Sequence, residues 1–427
     1  MNCDENSNNT SIIKKKIVIL KKKIPQEDSS KSNTHLTKTL ELNKPDKIFF
    51  YEKTDKYYEF SNFYESPITI NGIKYSTTEH FYQSQKYNIG DKSLEFANII
   101  KSANTPNKAF YLAQQKIKGG YAAGWYVSKN DPRKLNQIIK EYTEEHHVTV
   151  RSDWNQVKDN IMRRAVWAKF TQHPNLSKIL IDTGDAIIYE NSPRDSYWAI
   201  GADGKGLNML GKILMEVRGF LQAKYPIAPT KTSNWIIPEY LLASAYPGDK
   251  HEPTHQNLLK KLVSRYEDDG ANINVFISLQ EPEQEVTLKS YRKVIAPNFI
   301  QPETQEFQVS VESSLGNNGT IEFIREPIPD RSIIDDDNTL SFVIEIAQKI
   351  ANHQHILIHC LGGKGRTGVI VGILLGYMYG MKSNDVLKIM ADSFKTRVDK
   401  GKKKASMPQT ASQFSQITHI LSKFIDI

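Results

Sequence analysis

The stretch HCLGGKGRTG (359–368) holds the residues of this chain best suited to covalent chemistry. Within it, Cys360 is followed by Arg366 after five residues, three of which are glycines. Glycines before a helix let backbone N–H groups converge on an anion, and the helix end adds partial positive charge. Such surroundings lower the pKa of a thiol, and an arginine can hold a phosphate through two parallel hydrogen bonds. We therefore expect Cys360 to attack a phosphomonoester, with Gly363 and Gly365 in the binding loop and Thr367 beside the thiolate.

An apolar strand and an apolar helix must position this loop. The run HILIHC (355–360) predicts a short buried strand, and VIVGILLGYMYG (369–380) predicts a buried helix. Upstream, NVFISL (274–279) and TLSFVIEIAQKIANH (339–353) predict another strand and another helix. Strands that alternate with helices indicate an α/β domain built on a parallel sheet.

The loop resembles the signature of the cysteine-based protein phosphatases, in particular that of their compact dual-specificity branch. The family pattern His-Cys-x-x-Gly-x-x-Arg-Ser/Thr is matched by His359, Cys360, Gly363, Arg366 and Thr367. The resemblance implies a phosphorylated substrate and an α/β phosphatase fold over residues 233–427. Two alternatives are a cysteine that is merely buried and a phosphatase-like domain that binds phosphate without hydrolysing its ester.

The same resemblance implies a general acid upstream and a water-positioning amide downstream. Asp330 lies in REPIPDRSIIDDD (325–337), where two prolines would hold it in a defined loop. The three aspartates at 335–337 instead suit the first turn of the next helix. In PQTASQ (408–413), Gln409 or Gln413 is the candidate for orienting water.

A second group of polar residues lies far upstream, in TTEHFYQSQKY (77–87). If a threonine caps a helix here, Glu79, Gln83 and Lys86 follow at spacings of four and three and share one face. A carboxylate, an amide and an amine on one face, bordered by aromatic residues, can form a small-molecule site in which Gln83 binds substrate. A plain polar surface stripe is the alternative interpretation.

The segment YENSPRDSYWAIGADGKGLNMLG (189–211) is too long and too mixed in character to be only a turn. It carries Glu190, Arg194, Asp195 and Trp198 together with four glycines. Loops of this kind often carry binding groups on a rigid scaffold. We expect Trp198 to bind substrate by stacking on a flat base, although it could equally belong to the core.

Three blocks of the N-terminal half, residues 59–87, 153–176 and 183–218, resemble the NADAR family. The resemblance implies a mainly helical α+β fold without a metal or a cofactor. It implies an N-glycosidase that acts on riboflavin-pathway intermediates, and removal of ADP-ribose from guanine bases is the alternative. Residues 118–150 are longer than the usual link in that family, so no substrate contacts are predicted there.

The residues in these blocks suit the cleavage of a ribosyl C1–N bond. The family is thought to use a lysine that forms a Schiff base with the sugar, and Lys86 is the best-placed amine. Such a lysine must be partly desolvated to be neutral near pH 7. Glu79 and Asp195 are candidates for proton transfer and for holding the ribose hydroxyls, and Glu190 is a third.

The length of 427 residues indicates two domains. We expect a basic tail at 1–46, a NADAR-like domain at 47–223, a linker at 224–232 and a phosphatase-like domain at 233–427. The tail contains KKKIVILKKK, which could contact nucleic acid or direct the chain to a nucleus. A solvated basic segment is the simpler alternative.

The cysteine content favours a reducing intracellular compartment, cytoplasmic or nuclear, because two cysteines cannot form a disulfide framework. No apolar run is long enough to span a bilayer, so no membrane partner is expected. Three functions stay open at this point. The chain could combine an N-glycosidase with a phosphatase, attach an ADP-ribose-binding module to a phosphatase, or remove ADP-ribose from nucleic-acid bases.

Overall fold

The computed structural model of the protein describes residues 45–87, 89–114, 132–248, 252–264, 270–286, 288, 290–315, 319–400 and 405–425. Residues Pro45–Ile427 form one compact unit. The basic tail, apart from its last two residues, lies outside the described residues, and so does the first part of the long link, 118–131.

The described part of the N-terminal half is mainly helical. Its strands are β1 (Lys47–Phe50), β2 (Ile68–Ile70), β3 (Ile73–Tyr75) and β4 (Ile187–Glu190). Its helices are α1 (Thr78–Ser84), α2 (Asp91–Lys101), α3 (Pro106–Ala113), α4 (Pro132–Lys140), α5 (Trp154–Gln172), α6 (Pro174–Asp182) and α7 (Met209–Gln222). Single 3-10 turns cover Tyr58–Phe60 and Gln85–Tyr87.

Local sequence accounts for the start of this half. Asn71 and Gly72 both have positive φ, 50° and 71°, and they form the tight turn that joins β2 to β3. Thr77 caps α1, because its hydroxyl accepts a hydrogen bond from the His80 amide at 3.3 Å. β1 pairs in parallel with β4, which places Glu190 at the end of a paired strand.

The C-terminal half contains a six-stranded sheet and several helices. Its strands are β5 (Ser233–Ile237), β6 (Leu241–Ser244), β7 (Val275–Ser278), β8 (Phe307–Glu312), β9 (Thr320–Arg325) and β10 (Ile356–His359). Its described helices are α8 (Glu252–Val263), α9 (Pro282–Glu285), α10 (Tyr291–Ile295), α11 (Asp336–Ala351), α12 (Gly365–Tyr379), α13 (Ser383–Lys395) and α14 (Ala411–Ile425). Asp335 caps α11 and the next two aspartates lie in its first turn, as the sequence predicts.

The sheet has the order β5-β6-β10-β7-β9-β8. The four central strands run parallel, whereas β5 and β8 pair antiparallel with their neighbours at the two edges. The prediction of a mainly helical half and an α/β half is confirmed, but the predicted parallel sheet is wrong at its edges. The connections 238–240 and 313–319 are too short for the crossover that a parallel pair needs.

The two halves share one continuous apolar cluster. Helix α5 of the N-terminal half packs on α11 and α12 of the C-terminal half. The Phe220 and Tyr379 rings meet edge-on with centroids 5.1 Å apart, and Tyr225, inside the predicted linker, donates a hydrogen bond to the Ile389 carbonyl at 3.2 Å. The predicted domain boundaries stay predictions, and within the predicted linker Tyr225 is anchored to the C-terminal half by this hydrogen bond.

None of the helices in the described ranges combines the length and the apolar character needed to cross a membrane.

Candidate active sites

The cysteine loop begins at the carboxyl end of a central strand. β10 lies between β6 and β7, and the chain passes from Cys360 through the glycines to the first turn of α12. Gly363 has φ +60°, and a Cβ atom there would lie 2.1 Å from the Ser244 carbonyl oxygen. The loop therefore presses against the end of β6 at a point where only glycine fits.

The Cys360 thiol is buried, and its pKa lies below the usual value for cysteine. Burial by itself raises this pKa, but the side chain and amide of Thr367 lower it, as do the charge of Arg366 and the amide of Lys364. The net effect favours the thiolate, which is the nucleophilic form. These are the neighbours that the sequence pattern predicts for the loop.

Arg366 is buried and held in one orientation. Its Nη1 donates to the Gln284 side chain at 2.8 Å and to the Ile328 carbonyl at 3.0 Å. Its Nη2 lies 3.1 Å from the Oδ1 atom of Asp330, whose side chain is 56% exposed. The structure therefore brings the predicted acid to the guanidinium that would grip phosphate, at the mouth of the loop.

The two candidate glutamines both lie against Gly365. A Cβ atom on that glycine would lie 2.9 Å from Gln413 Nε2 and 3.0 Å from Gln409 Oε1. Gln413 is buried, and its Oε1 accepts hydrogen bonds from the amides of Gln409 and Thr410, both at 3.1 Å. Because Gln413 is engaged in holding its own segment, the exposed Gln409 is the better candidate for orienting water.

Sequence reasoning missed Arg397, which lies beneath the loop. This buried side chain donates to the carbonyls of Gly362 and Gly363 at 3.2 and 2.8 Å, and to Asn234 Oδ1 at 2.6 Å. Burial lowers its pKa to about 10, and the charge on Cys360 opposes that effect. By holding the carbonyls outward, Arg397 leaves the loop amides free to face an anion. Its position in the sequence gives no signal of this role.

A cavity of about 540 Å³ opens in the N-terminal half. It contains all six residues that the sequence analysis assigns to the glycosidase site: Glu79, Gln83, Lys86, Glu190, Asp195 and Trp198. They come from α1, from the turn after it, and from the end of β4 and the segment that follows it, so the fold brings two distant segments to one cavity. The plain surface stripe is excluded, because α1 is buried along its whole length.

Glu79 is the most deeply buried carboxylate on the cavity wall. Its Oε1 accepts a hydrogen bond from Gln83 Nε2 at 2.7 Å. Burial raises the pKa of Glu79 to about 7, although Gln83 and the charge of Lys86 oppose that rise. Near neutral pH this group can therefore either give or take a proton.

Lys86 lies in the 3-10 turn after α1 and not in the helix itself. Its ammonium is 5.9 Å from the ring centre of Tyr82 and 5.7 Å from that of Trp154. Burial lowers its pKa to about 8, against the effect of Glu79. An aromatic and apolar wall thus makes the amine far more available as a nucleophile than a surface lysine.

The second segment supplies two carboxylates and an indole. Asp195 Oδ1 accepts hydrogen bonds from the amides of Tyr197 and Trp198, both at 2.8 Å, so its position is fixed by its own loop. Burial, together with the charges of Asp195 and Glu79, raises the pKa of Glu190 to about 8. The Trp198 ring stacks edge-on against Tyr82, with centroids 5.4 Å apart.

The sequence analysis noted aromatic residues beside this face, but the predicted site did not include Trp154 or Tyr197, which line the cavity with Tyr82. The sequence signal of Trp154 was helical periodicity, which could not distinguish a cavity wall from core. Among the described residues, no three His, Cys, Asp or Glu side chains are grouped as metal ligands would be. The cavity thus offers an amine, carboxylates and aromatic faces, which suits attack on a sugar carbon.

Comparisons with known proteins match each half of the chain to a protein family. Residues 49–222 match the model of the NADAR domain. An N-glycosidase of Nostoc punctiforme is 36% identical over 171 residues, which cover 40% of this chain and 90% of that protein. The chain belongs to the NADAR family. Residues 230–424 match the phosphatase domain, of the DSP-PTPase type, of the Swiss Army Knife proteins.

Two further relatives extend the NADAR match. A chloroplastic riboflavin biosynthesis protein of Zea mays is 30% identical over 187 residues, which cover 42% of this chain and 26% of that protein. The NMR structure of the Escherichia coli protein YbiA is 31% identical, covers 42% of this chain and 86% of that protein, and has a TM-score of 0.31. The predicted combination of a NADAR glycosidase with a cysteine-type phosphatase in one chain is confirmed. The comparisons lend no support to nucleic-acid binding.

Proposed function

We propose that the NADAR half hydrolyses the N-glycosidic bond of 5-phosphoribosylamino-pyrimidines, which are early riboflavin intermediates. The products are the free pyrimidine and ribose 5-phosphate. The observation that carries this proposal is the desolvated Lys86 in a cavity with Glu79, Glu190 and Asp195. The Zea mays relative, named for riboflavin biosynthesis, supports the choice of substrate.

The proposed reaction begins on the ring-opened form of the aminoribose, in which C1 is an imine carbon. The neutral amine of Lys86 attacks C1 and forms a C–N bond, while a carboxyl group protonates the pyrimidine-bound nitrogen. The C1–N bond to the pyrimidine then breaks, and its electron pair leaves with the amine. A Schiff base between Lys86 and C1 is left. Water adds to C1, the bond to the lysine breaks, and the aldehyde form of ribose 5-phosphate departs.

The carboxylates have separate tasks in this scheme. Glu79, whose pKa of about 7 lies close to neutral pH, exchanges the proton with the leaving nitrogen. Asp195, fixed by two amides of its own loop, accepts hydrogen bonds from the ribose hydroxyls. Glu190 is a further proton carrier beside them, and Gln83 and Trp198 contact the substrate.

Borohydride trapping tests the lysine assignment in the full chain. Reduction during turnover should leave a stable ribosyl adduct on Lys86, identified by peptide mass spectrometry. Lys86→Ala should lose the adduct and most turnover, whereas Lys53→Ala, at another cavity lysine, should keep both. Wild-type turnover in Lys86→Ala would show that a carboxylate acts directly on an oxocarbenium ion instead.

ADP-ribosyl-guanine is the second candidate substrate for the same cavity. The aromatic cluster of Tyr82, Trp154 and Trp198 favours a ligand that carries a flat base, since such faces stack on nucleobases. Both substrates share the phosphoribosyl group. Product analysis with ADP-ribosylated guanine DNA and with phosphoribosylamino-pyrimidine, at equal concentrations, separates the two.

We infer that the C-terminal half cleaves phosphomonoesters through a phosphocysteine. The Cys360 thiolate attacks phosphorus, the ester P–O bond breaks, and Asp330 protonates the departing oxygen. Arg366 holds two phosphoryl oxygens, and Gln409 orients the water that releases phosphate. The glycine loop amides and Thr367 stabilise the charge on the phosphoryl group and on the thiolate.

Hydrolysis of p-nitrophenyl phosphate by the full chain tests this second activity. Cys360→Ser should abolish it, and Arg366→Lys should be severely impaired because a point charge cannot supply a bidentate clamp. Arg331→Lys, beside the proposed acid, is the matched control and should stay active. Normal hydrolysis in Cys360→Ser would end the nucleophile assignment.

A further inference from the structure

Asp159 on α5 is a buried carboxylate that the proposed reaction does not use. Its side chain is 1% exposed, and its Oδ1 accepts a hydrogen bond from the Tyr197 hydroxyl at 2.7 Å. Its Oδ2 has no hydrogen-bond partner among the described residues. Burial raises the pKa of Asp159, although Arg163 and Tyr197 oppose that rise. Burying a carboxylate with one oxygen left without a hydrogen bond lowers the stability of the fold. Its presence here suggests that its hydrogen bond to Tyr197 has a function.

The partner of Asp159 is tied to the cavity residues. The amide of Tyr197 donates to Asp195 at 2.8 Å, and its ring lies 5.2 Å from that of Trp198. The ammonium of Lys158 lies 3.6 Å from the centre of the Tyr197 ring and covers one side of it. Any displacement of Tyr197 therefore displaces the proposed ribose-binding carboxylate and the indole beside it.

The phosphatase half reaches the same tyrosine. His353 lies two residues after the end of α11, and its ring centroid is 6.4 Å from that of Tyr197. Burial lowers the pKa of His353, and the charge of Asp159 acts against that effect. Since α11 packs on α5, the histidine is held there by the interface between the halves.

We propose that Asp159 and Tyr197 form a positioning pair that holds Asp195 and Trp198 in the glycosidase cavity, and that His353 of the phosphatase half packs behind this pair. The proposal rests on the proposed glycosidase function. If the positioning pair acts in this way, the phosphatase domain helps to hold the glycosidase site in place.

Tyr197→Phe in the full chain removes the hydroxyl and keeps the ring. Glycosidase kcat/KM should fall by roughly ten- to a hundredfold, because small misplacements of catalytic groups have effects of that size. Asp159→Ala should lower glycosidase kcat/KM by the same factor, and the double variant should lower it no further than either single variant does. Asp159→Asn, which keeps an acceptor for the hydroxyl, should recover most of the activity. Additive losses in the double variant would show that the two residues do not act as a pair.

His353→Ala tests the contribution from the phosphatase half. It should lower glycosidase kcat/KM several-fold and leave hydrolysis of p-nitrophenyl phosphate unchanged. His355→Ala is the matched control, because the His355 ring stacks on Tyr240 and hydrogen-bonds to the Glu239 carbonyl, whereas the His353 ring lies against Tyr197. Equal glycosidase rates in both histidine variants and in wild type would overturn the role of His353.

Hydrogen exchange gives a result that does not depend on the substrate. Amides in residues 191–208 should exchange faster in Tyr197→Phe than in wild type, while those in 360–366 should not change. Equal exchange in 191–208 overturns the positioning pair even if no tested compound is turned over. If wild type hydrolyses neither candidate glycoside but the exchange changes as expected, the proposed substrate is wrong and the pair stands.

Discussion

Gly362 and Gly363 are neighbours in the phosphate-binding loop but have different surroundings. A Cβ atom at 362 would meet only the Lys364 side chain, at 3.9 Å, whereas at 363 it would collide with the backbone of Ser244 and Ala245. We expect Gly363→Ala to lower phosphatase kcat/KM by about a hundredfold or more, since the loop must move away from β6. Gly362→Ala should stay within about twofold of wild type in the same p-nitrophenyl phosphate assay.

Glycosidase activity in both alanine variants shows whether the chain still folds. If a variant keeps full glycosidase activity but loses phosphatase activity, the substitution has disturbed only the phosphate-binding loop. A Gly363→Ala enzyme with wild-type phosphatase kinetics would contradict the geometry described for the end of β6.

The pH dependence of glycosidase turnover follows from two side chains whose pKa values are shifted towards neutral pH. Burial lowers the pKa of Lys86 to about 8, so the nucleophilic neutral amine is gained as the pH rises through 8. Burial raises the pKa of Glu79 to about 7, so the proton-donating form is lost as the pH rises through 7. We expect a bell-shaped profile of kcat/KM with its maximum between pH 7 and 8.

Glu79→Gln assigns the alkaline side of that profile. The variant should be slower, but its rate should level off above pH 8 instead of falling, because no proton can be lost from the amide. A fall at high pH that persists in Glu79→Gln would assign that limb to Glu190 or to another group.

Residue types and spacings were enough to predict which side chains lie together in each candidate site. Cys360 and Arg366 are six residues apart in one loop and the helix turn that follows it, and Glu79, Gln83 and Lys86 lie within about two helical turns, so their proximity is fixed locally. Arg397 and Asp159 act on residues far away in the chain. No local pattern reveals such partners, because only the packing of separate elements brings them together.

At the scale of elements, a buried ion pair between α5 and α7 of the N-terminal half receives a hydrogen bond from the C-terminal half. Arg163 donates through Nε and Nη2 to both oxygens of Glu216, at 2.9 and 3.0 Å, and Tyr379 of α12 donates to Glu216 Oε2 at 2.7 Å. Arg163→Met should lower the free energy of unfolding by about 3–5 kcal/mol, because it leaves a buried carboxylate without its cation. Tyr379→Phe should cost about 1.5–3 kcal/mol, measured by urea unfolding.

Tyr225→Phe is the matched control for Tyr379→Phe. It removes the same hydroxyl from another contact between the halves, where the acceptor is the neutral Ile389 carbonyl at 3.2 Å. Tyr225→Phe should lower the free energy of unfolding by less, about 0.5–1.5 kcal/mol. Equal effects of the two substitutions would mean that the charge on Glu216 adds nothing to the interface.

Elements with strong local signals were predicted correctly, and elements that depend on distant partners were not. The Asn71-Gly72 turn dictates its hairpin, and the apolar run after Arg366 dictates α12. The direction of β5 and β8 depends on the length of a connection and on which neighbour has a free edge. Strand periodicity contains no such information.

At the scale of the whole molecule, one continuous apolar cluster spans the two halves, so we expect them to unfold together. We expect a single calorimetric transition in which the calorimetric and van't Hoff enthalpies agree. Glycosidase and phosphatase activities should disappear over the same temperature range. Two separated transitions, each tracking one activity, would show that the interface contributes little to stability.

The buried contact of Tyr379 with Glu216 also has a genetic consequence. Two alleles that each inactivate one active site, such as Lys86→Ala and Cys360→Ser, should complement each other, because every chain still folds and keeps one reaction. An allele that destroys this contact between α7 and α12 should complement neither, since it removes both enzymes at once. Selection on either reaction therefore maintains the residues between the domains, and a lineage cannot discard one activity by accumulating lesions there.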